Sequence, residues 1–319
     1  PSDQAFLKTG INQPLNGFTI VLGGNNGIPN LGFTTFSVTD PLPQQGTNHA
    51  PVANADVGHV KAAGVLPGSN IPTIGSPFSK GNVLSNDTDA DAASGDTKTV
   101  TGVKSGTSTG GVSGDVGSII VGTYGFLILQ ADGKYLYTLN NFDPDTIKLH
   151  EGEPRQDVFT YTTTDSHGLT SSTTLTIDVT GTNNAPFILH DHTSGTVTED
   201  QPSLNTASGT LTKGDADNDD SGANDVWSAI AHSGQSQNGA TSIDGKYGTF
   251  VIDQDGKWTY TLDNSLAATQ ALNNGDHPTE TFNVKVTDSH GASAIETISV
   301  RVNGSDDAPT LGNVNAGTL

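Results

Sequence analysis

Along most of the chain, apolar residues alternate with polar ones over short stretches, the two-residue period of half-buried strands. The pattern is clearest between residues 245 and 302. Tyr247–Ile252 and Lys257–Leu262 alternate on either side of Asp253–Gly256, whose Asp-Gly pair predicts a hairpin turn. Thr281–Thr287 sets Phe282, Val284 and Val286 on one face, Asp288–Gly291 predicts a turn, and Ala294–Val302 sets Ile298, Val300 and Val302 on one face. Shorter strands are expected at Gly195–Glu199, Ser208–Thr212 and Val226–Ala231, and a short helical crossover at Ser265–Leu272. About seven antiparallel strands in roughly 120 residues, with frequent turn signals, predict an all-β sandwich of immunoglobulin type.

The same pattern is written twice. Leu127–Leu129, Ala131–Gly133 and Tyr135–Tyr137 repeat the hairpin, and both copies advance 64 residues between matching Gly and Pro, from Gly122 to Pro186 and from Gly245 to Pro309. The upstream steps differ: 30 and 41 residues in the first copy (Pro51, Gly81, Gly122) against 23 and 36 in the second (Pro186, Gly209, Gly245). Surface loops absorb length at small entropic cost, so the extra residues, among them Leu66–Pro72 and Ser105–Gly117, are expected in loops. Self-similarity at this scale marks tandem domains arranged end to end. The expected division is 1–47 as the tail of a preceding or divergent β domain, 48–184 and 185–308 as two sandwich repeats, and 309–319 as the start of another. Little contact between the repeats is expected beyond their short junction.

Composition narrows the function. Only 32% of residues are apolar, lean for one large core and normal for small β domains. The formal charge is −21, with 34 acidic residues against 13 basic, so the surface repels nucleic-acid phosphates and anionic membranes and attracts cations. Cysteine is absent, so no disulfide braces the domains. The most apolar run, Ile119–Leu129, is interrupted by Gly122 and Gly125 and is too short to cross a membrane. No nucleophile, phosphate loop or paired acid–base constellation stands out, and the chain is read as non-enzymatic.

Three acidic clusters recur at equivalent positions. Asp87, Asp89 and Asp91 match Asp215, Asp217 and Asp219; Asp165 matches Asp288 in the two DSHG turns; and Asn48, the pair Asn183 and Asn184, and the pair Asp306 and Asp307 mark the junctions. In a seven-strand sandwich the loops after the second and sixth strands lie at one end, where the incoming linker also arrives. Calcium takes 6–8 hard oxygen ligands in flexible geometry, so these segments are expected to share Ca2+. At the opposite end, Glu199 and Asp200, with Glu280 or Asp157, are expected to complete the site of the next junction. Each Asp is also an ordinary turn former; recurrence in register is what favours metal. Asp beside His in DSHG suggests a catalytic dyad, but adjacent residues rarely provide that geometry and both copies carry it. His190 and His192 have no counterpart in the first copy, and Trp227 and Trp258 fall in strand patterns where core burial is the default.

The phrases GNVLSNDTDAD, GTYGFLILQADGKYLYTLNN, TVTED, TDSHG and TGTNNAP together resemble the VCBS family of bacterial cadherin-like repeats, over about 48–310. The resemblance implies extender domains of large calcium-dependent RTX adhesins, carried outside the cell by type I secretion and supporting adhesion or biofilm formation. Its partners would be neighbouring repeats of the same polypeptide, with host or biofilm ligands held by other domains. Residues 1–47 depart from the pattern, and Asn54–Val60 stands where the second copy has the acidic Thr198–Asp200. Two other functions compete: a ligand-binding tip using residues 1–47, and a fibre subunit that self-associates head to tail by strand addition.

Overall fold

The structure, a computed structural model, describes residues 47–219, 225–230 and 241–307. The expectations for 1–46 and 309–319 lie outside these residues. The chain divides into two compact units, Pro1–His49 and Ala50–Leu319, and the second unit holds both repeats.

The first repeat contains β1 (Asp56–Lys61), β2 (Gly64–Val65), β3 (Pro72–Thr73), β4 (Phe78–Asn82), β5 (Lys98–Ser105), β6 (Ile119–Val121), β7 (Gly125–Leu129), β8 (Lys134–Leu139), a one-turn helix α1 (Pro144–Ile147), β9 (Pro154–Asp165) and β10 (Thr170–Thr180). Two four-stranded sheets face each other, in the orders β1-β10-β9-β5 and β4-β8-β7-β6. The second repeat contains β11 (Phe187–Leu189), β12 (Ser194–Thr198), β13 (Thr206–Thr210), β14 (Thr212–Gly214), β15 (Val226–Ile230), β16 (Ser242–Asp244), β17 (Gly248–Ile252), β18 (Lys257–Leu262), β19 (Thr279–Thr287) and β20 (Ser293–Asn303). Its sheets, β12-β20-β19-β15 and β13-β18-β17-β16, repeat the same order. The chain is all-β, as the alternation predicts.

Inward side chains from both sheets fill each core. In the first repeat Leu127, Tyr137, Phe159, Tyr161, Leu175 and Ile177 are fully buried. In the second, Phe250 stacks on Phe282 with centroids 4.7 Å apart and on Trp258 at 6.0 Å. Trp227 and Trp258 are therefore core residues, 2% and 0% exposed.

Three expectations are corrected. The sandwiches have eight strands in their main sheets, and the first pairs with the last in parallel: β1 with β10 and β12 with β20. The chain enters at one end and leaves at the other, so its first and last strands run the same way. The helical crossover occurs in the first repeat, where Asp143 caps α1 by accepting from Asp145 N at 2.9 Å with Pro144 in the first turn. Ser265–Leu272 instead forms successive turns, with Thr269 N bonded to Leu266 O and Leu272 N to Thr269 O.

The third correction is the extent to which the repeats touch. Val65 N donates to Asn183 O at 2.8 Å, and Leu66–Ile71 loops between β2 and β3 toward the second repeat. There Gly68 N donates to His290 O at 3.0 Å; Asn70 Nδ2 donates to Ser293 O at 2.6 Å and Ser293 N donates back to Asn70 Oδ1 at 2.7 Å. A Cβ on Gly291, which has φ +90°, would stand 2.9 Å from the α-carbon of Gly68. Extra chain length in the first copy is thus a second tie between the repeats. The other long segment, Ser105–Gly117, is largely an exposed loop held to β9 by Val112 N donating to Thr162 Oγ1 at 2.8 Å.

Candidate metal centre at the repeat junction

Asp288, in the second DSHG turn, has a divided task. Asp288 Oδ1 accepts from His290 N (2.9 Å) and Ala292 N (2.8 Å), closing its own turn. Its Oδ2 accepts from Asn183 Nδ2 of the linker at 3.0 Å. Asp165 Oδ1 closes the first repeat's turn in the same way, from His167 N and Leu169 N. In Asp288 one oxygen shapes the loop and the other faces the junction, so the turn-former and ligand readings describe two atoms of one side chain.

The Asp215–Asp219 loop folds over the linker from the other side. Asp215 Oδ1 accepts from Asp217 N at 3.1 Å, an Asx turn that presents the next carboxylate. Asp217 accepts from Asn184 N (2.8 Å) and Asn184 Nδ2 (2.9 Å), and the same amide nitrogen reaches Ile147 O at 2.7 Å. The preceding repeat contributes Glu151, which accepts from Asn183 N at 3.3 Å, and Glu153, which accepts from Asn218 Nδ2 at 3.1 Å. The junction therefore gathers Asn183, Asn184, Asp215, Asp217 and Asp288, with two glutamates from the other repeat.

The electrostatics are those of crowded carboxylates with one cation among them, Lys213, which pairs with Asp225. Burial pushes the Asp217 carboxyl up to about 6, against two hydrogen bonds from Asn184, with Asp215 and Asp219 adding repulsion. Asp215 is also raised, chiefly by burial, then by Asp288 and Asp225. Asp215 Oδ2, Asp225 Oδ1 and Asn183 Oδ1 are buried without a hydrogen-bond partner. Such atoms cost about 1–3 kcal/mol each unless something satisfies them. Hard carboxylate and amide oxygens in this number suit calcium.

The first repeat carries the parallel arrangement with one alteration. Asp87 Oδ1 accepts from Asn54 N at 2.7 Å and Asp89 Oδ1 from Asp91 N at 2.8 Å, while Oδ2 of both is buried and partnerless. Burial raises the Asp87 carboxyl, with Lys98 opposing it. Lys98 stands opposite Asp165 in the sheet. The second repeat has Asp225 there, immediately before the Val226–Thr287 pair. Lys98 Nζ donates to Asp87 O at 2.5 Å, whereas in the second repeat Lys213 pairs with Asp225 Oδ2 and leaves its Oδ1 without a partner. Asp96 joins this cluster by accepting from Ser166 N at 2.9 Å, with His167 Nδ1 at 3.1 Å. Asn48 is half-buried in the unit that ends at His49.

At the far end of the second repeat, Glu199 is fully buried; Oε2 accepts from Ser305 N at 3.1 Å and Oε1 has no partner. Its carboxyl is raised by burial, then by Asp307 and Asp200. Asp306 accepts from Asn274 N at 2.9 Å. Glu280 does not join this group. Its carboxylate accepts from Lys246 N, Tyr247 N and the Tyr260 hydroxyl, bracing the turn before β17. Asp157 does the same for Thr123 N, Tyr124 N and Tyr137. Register also corrects the first-strand comparison: Val60 pairs with Val179 and Val197 with Val302, so Ala62 and not the Asn54–Val60 stretch is the counterpart of Glu199. At that end of the first repeat the carboxylates that reach the junction are Glu151 and Glu153.

The sequence pattern alone does not single out Glu151, Glu153 or Asp225. The available signal was Glu151-Gly-Glu153 just before a long strand, and an Asp immediately preceding β15. Elsewhere, His190 pairs with Glu296 and His192 with Asp191.

Known proteins resemble this chain. The family described as bacterial cadherin-like domain matches residues 48–181 and 183–304. The calcium-binding lectin RapA2 of Rhizobium johnstonii is 29% identical over 203 residues, covering 59% of this chain and 75% of that protein. Among solved structures, Drosophila N-cadherin EC1-4 is 15% identical with TM-score 0.44, and mouse cadherin-23 EC22-24 is 14% identical with TM-score 0.43. They cover 82% and 81% of this chain; the chain spans 50% and 67% of theirs. Two consecutive family matches cover most of the sequence, and the chain belongs to the bacterial cadherin-like domain family.

Proposed function

We propose that this chain is a non-enzymatic, calcium-stiffened spacer within a bacterial surface adhesin. The observation that carries the reading is the junction of the two repeats. Buried oxygens of Asn183, Asp215 and Asp225 lack partners there, beside Asp217 and Asp288, with Glu151 and Glu153 reaching in from the preceding repeat. Calcium held by the linker and by loops of both repeats would offset the mutual repulsion of these carboxylates. Bending would then require several coordination bonds to break. Extracellular calcium modules work at about 10⁻⁴–10⁻³ M, which matches an environment outside the cell. The family membership and the calcium-binding relative support the same chemistry. No helix among the described residues is long and apolar enough to cross a membrane.

The finer reading is a stalk exported by type I secretion as an extender of an RTX adhesin that supports adhesion or biofilm formation. The sandwich boundaries are proposed at 48–184 and 185–308, with the ligand sets read from sequence plus Glu151, Glu153 and Asp225 and without Glu280. The test is small-angle scattering of the chain in calcium and in chelator. Calcium should lengthen the maximum dimension and narrow its distribution. Identical profiles in the two conditions would sink the spacer mechanism. Glycan-array binding by the chain would instead favour a lectin function, as RapA2 is described.

A further inference from the structure

Beside the acidic junction lies a cluster of different chemistry. His150 follows α1 in the first repeat; Asp219 and His290 come from two loops of the second. His150 Nδ1 lies 3.5 Å from Asp219 Oδ2, and His290 Nε2 lies 3.7 Å from the same oxygen. All three ligand atoms fall within 4.8 Å of one another. Donors bound at about 2.0–2.2 Å to one tetrahedral ion sit about 3.4 Å apart, so two of these spacings already approximate a shared ion. The Glu151 carbonyl oxygen accepts from His150 Nδ1 at 3.1 Å, and would be free to act as a fourth donor once a metal displaces that proton.

In the ion-free chain His150 Nδ1 donates to the Glu151 carbonyl, so metal binding at Nδ1 moves that proton to Nε2, on the side of Glu153. Glu153 Oε2 lies 3.7 Å from His150 Nε2, and Ser289 Oγ lies 3.2 Å from His290 Nδ1. With the proton on the outer nitrogen of each ring, the lone pair of the inner one faces the ion. The two rings stack, with centroids 6.0 Å apart and planes 20° from parallel.

We propose that His150, Asp219 and His290 form a site for a borderline divalent transition metal, with zinc as the probe, bridging the two repeats. Imidazole nitrogen suits zinc, copper or nickel, whereas calcium takes oxygen. The site assigns Asp219 to this ion, apart from the calcium set. It belongs to this junction: the second-repeat position equivalent to His150 is Asn273. A bound ion would fasten the α1 side of the first repeat to two loops of the second, taking Asp219 from the calcium set and leaving Asp215, Asp217 and Asp288 to calcium.

The full chain, saturated with calcium, is titrated with zinc chloride by calorimetry, and its cobalt(II) absorption spectrum is recorded. Expected are binding of a single zinc ion and the intense visible bands of tetrahedral cobalt. His150→Asn, which installs the residue of the second repeat, and His290→Gln should each weaken zinc by about tenfold or more. Calcium-dependent melting should be unchanged in both variants, which shows that they fold. No zinc binding by the native chain, or unaltered affinity in folded variants, overturns the site. Neither result bears on the calcium reading, which has its own titration.

Discussion

Replacing Asp215 with Asn should stabilise the chain without calcium and destabilise it with calcium. Asp215 Oδ1 accepts from Asp217 N, and Oδ2 is buried without a partner among carboxylates that raise its pKa. The amide keeps the first oxygen and puts a donor where the second was. In chelator this removes one charge from a crowded set and adds a hydrogen bond to a charged acceptor, worth about 1 kcal/mol net. In calcium at a hundred times its dissociation constant, metal linkage gives the native chain about 2.7 kcal/mol. If the variant binds about a hundredfold more weakly, that falls to about 0.4 kcal/mol. The net change in calcium is therefore a loss of about 1.3 kcal/mol, a swing of about 2.3 kcal/mol between conditions. At roughly 4 °C per kcal/mol for a domain of this size, the melting temperature should rise about 4 °C in chelator and fall about 5 °C in calcium. Paired thermal denaturation of both proteins in both conditions measures this. A decrease of equal size in both conditions would refute the argument, because it would make Asp215 only a turn former.

Three further outcomes are expected. In the metal-free chain the folded-state carboxyls of Asp217 and Asp56, at about 6, lie above their ordinary value, so the folded state binds more protons than the unfolded one between about pH 4 and 6. Stability in chelator should then fall as pH rises through that window, while calcium affinity rises; a melting temperature that climbs across the window in chelator would contradict the assignment. Gly291→Ala should cost about 1–2 kcal/mol, from its positive φ and the 2.9 Å approach to the α-carbon of Gly68, and should speed amide exchange at Gly68 and Ser293. Unchanged exchange would remove the inserted hairpin as a tie between the repeats. Tyr260→Phe deletes the hydroxyl that donates to Glu280 and should cost about 1.5–3 kcal/mol by chemical denaturation. Calorimetry should find calcium affinity unaltered in that variant, since Glu280 braces a turn; weaker calcium binding would restore Glu280 as a ligand.

Alternation by itself determines much of this protein. Phe282, Val284, Val286, Ile298, Val300 and Val302 share the buried face they were expected to share, because a period of two leaves a half-buried strand no other choice. Recurrence in register likewise marks Asp215, Asp217 and Asp288. What alternation does not encode is strand direction, and so it does not show β1 running parallel to β10; that follows from where the chain enters and leaves. Nor does local sequence reveal which residues far apart in the chain will meet. Glu151 and Glu153 face the second repeat, and Asn70 meets Ser293, only because the junction stacks the two repeats. Glu280 and Glu199 are both glutamates near an end of the second repeat, and their difference is tertiary: one is filled by Tyr260 and two backbone amides, the other buried with an oxygen unmet. Residue type and spacing decide which groups are capable of holding an ion. Packing decides which of their atoms are left needing one, because desolvation and partner supply are properties of the assembled fold.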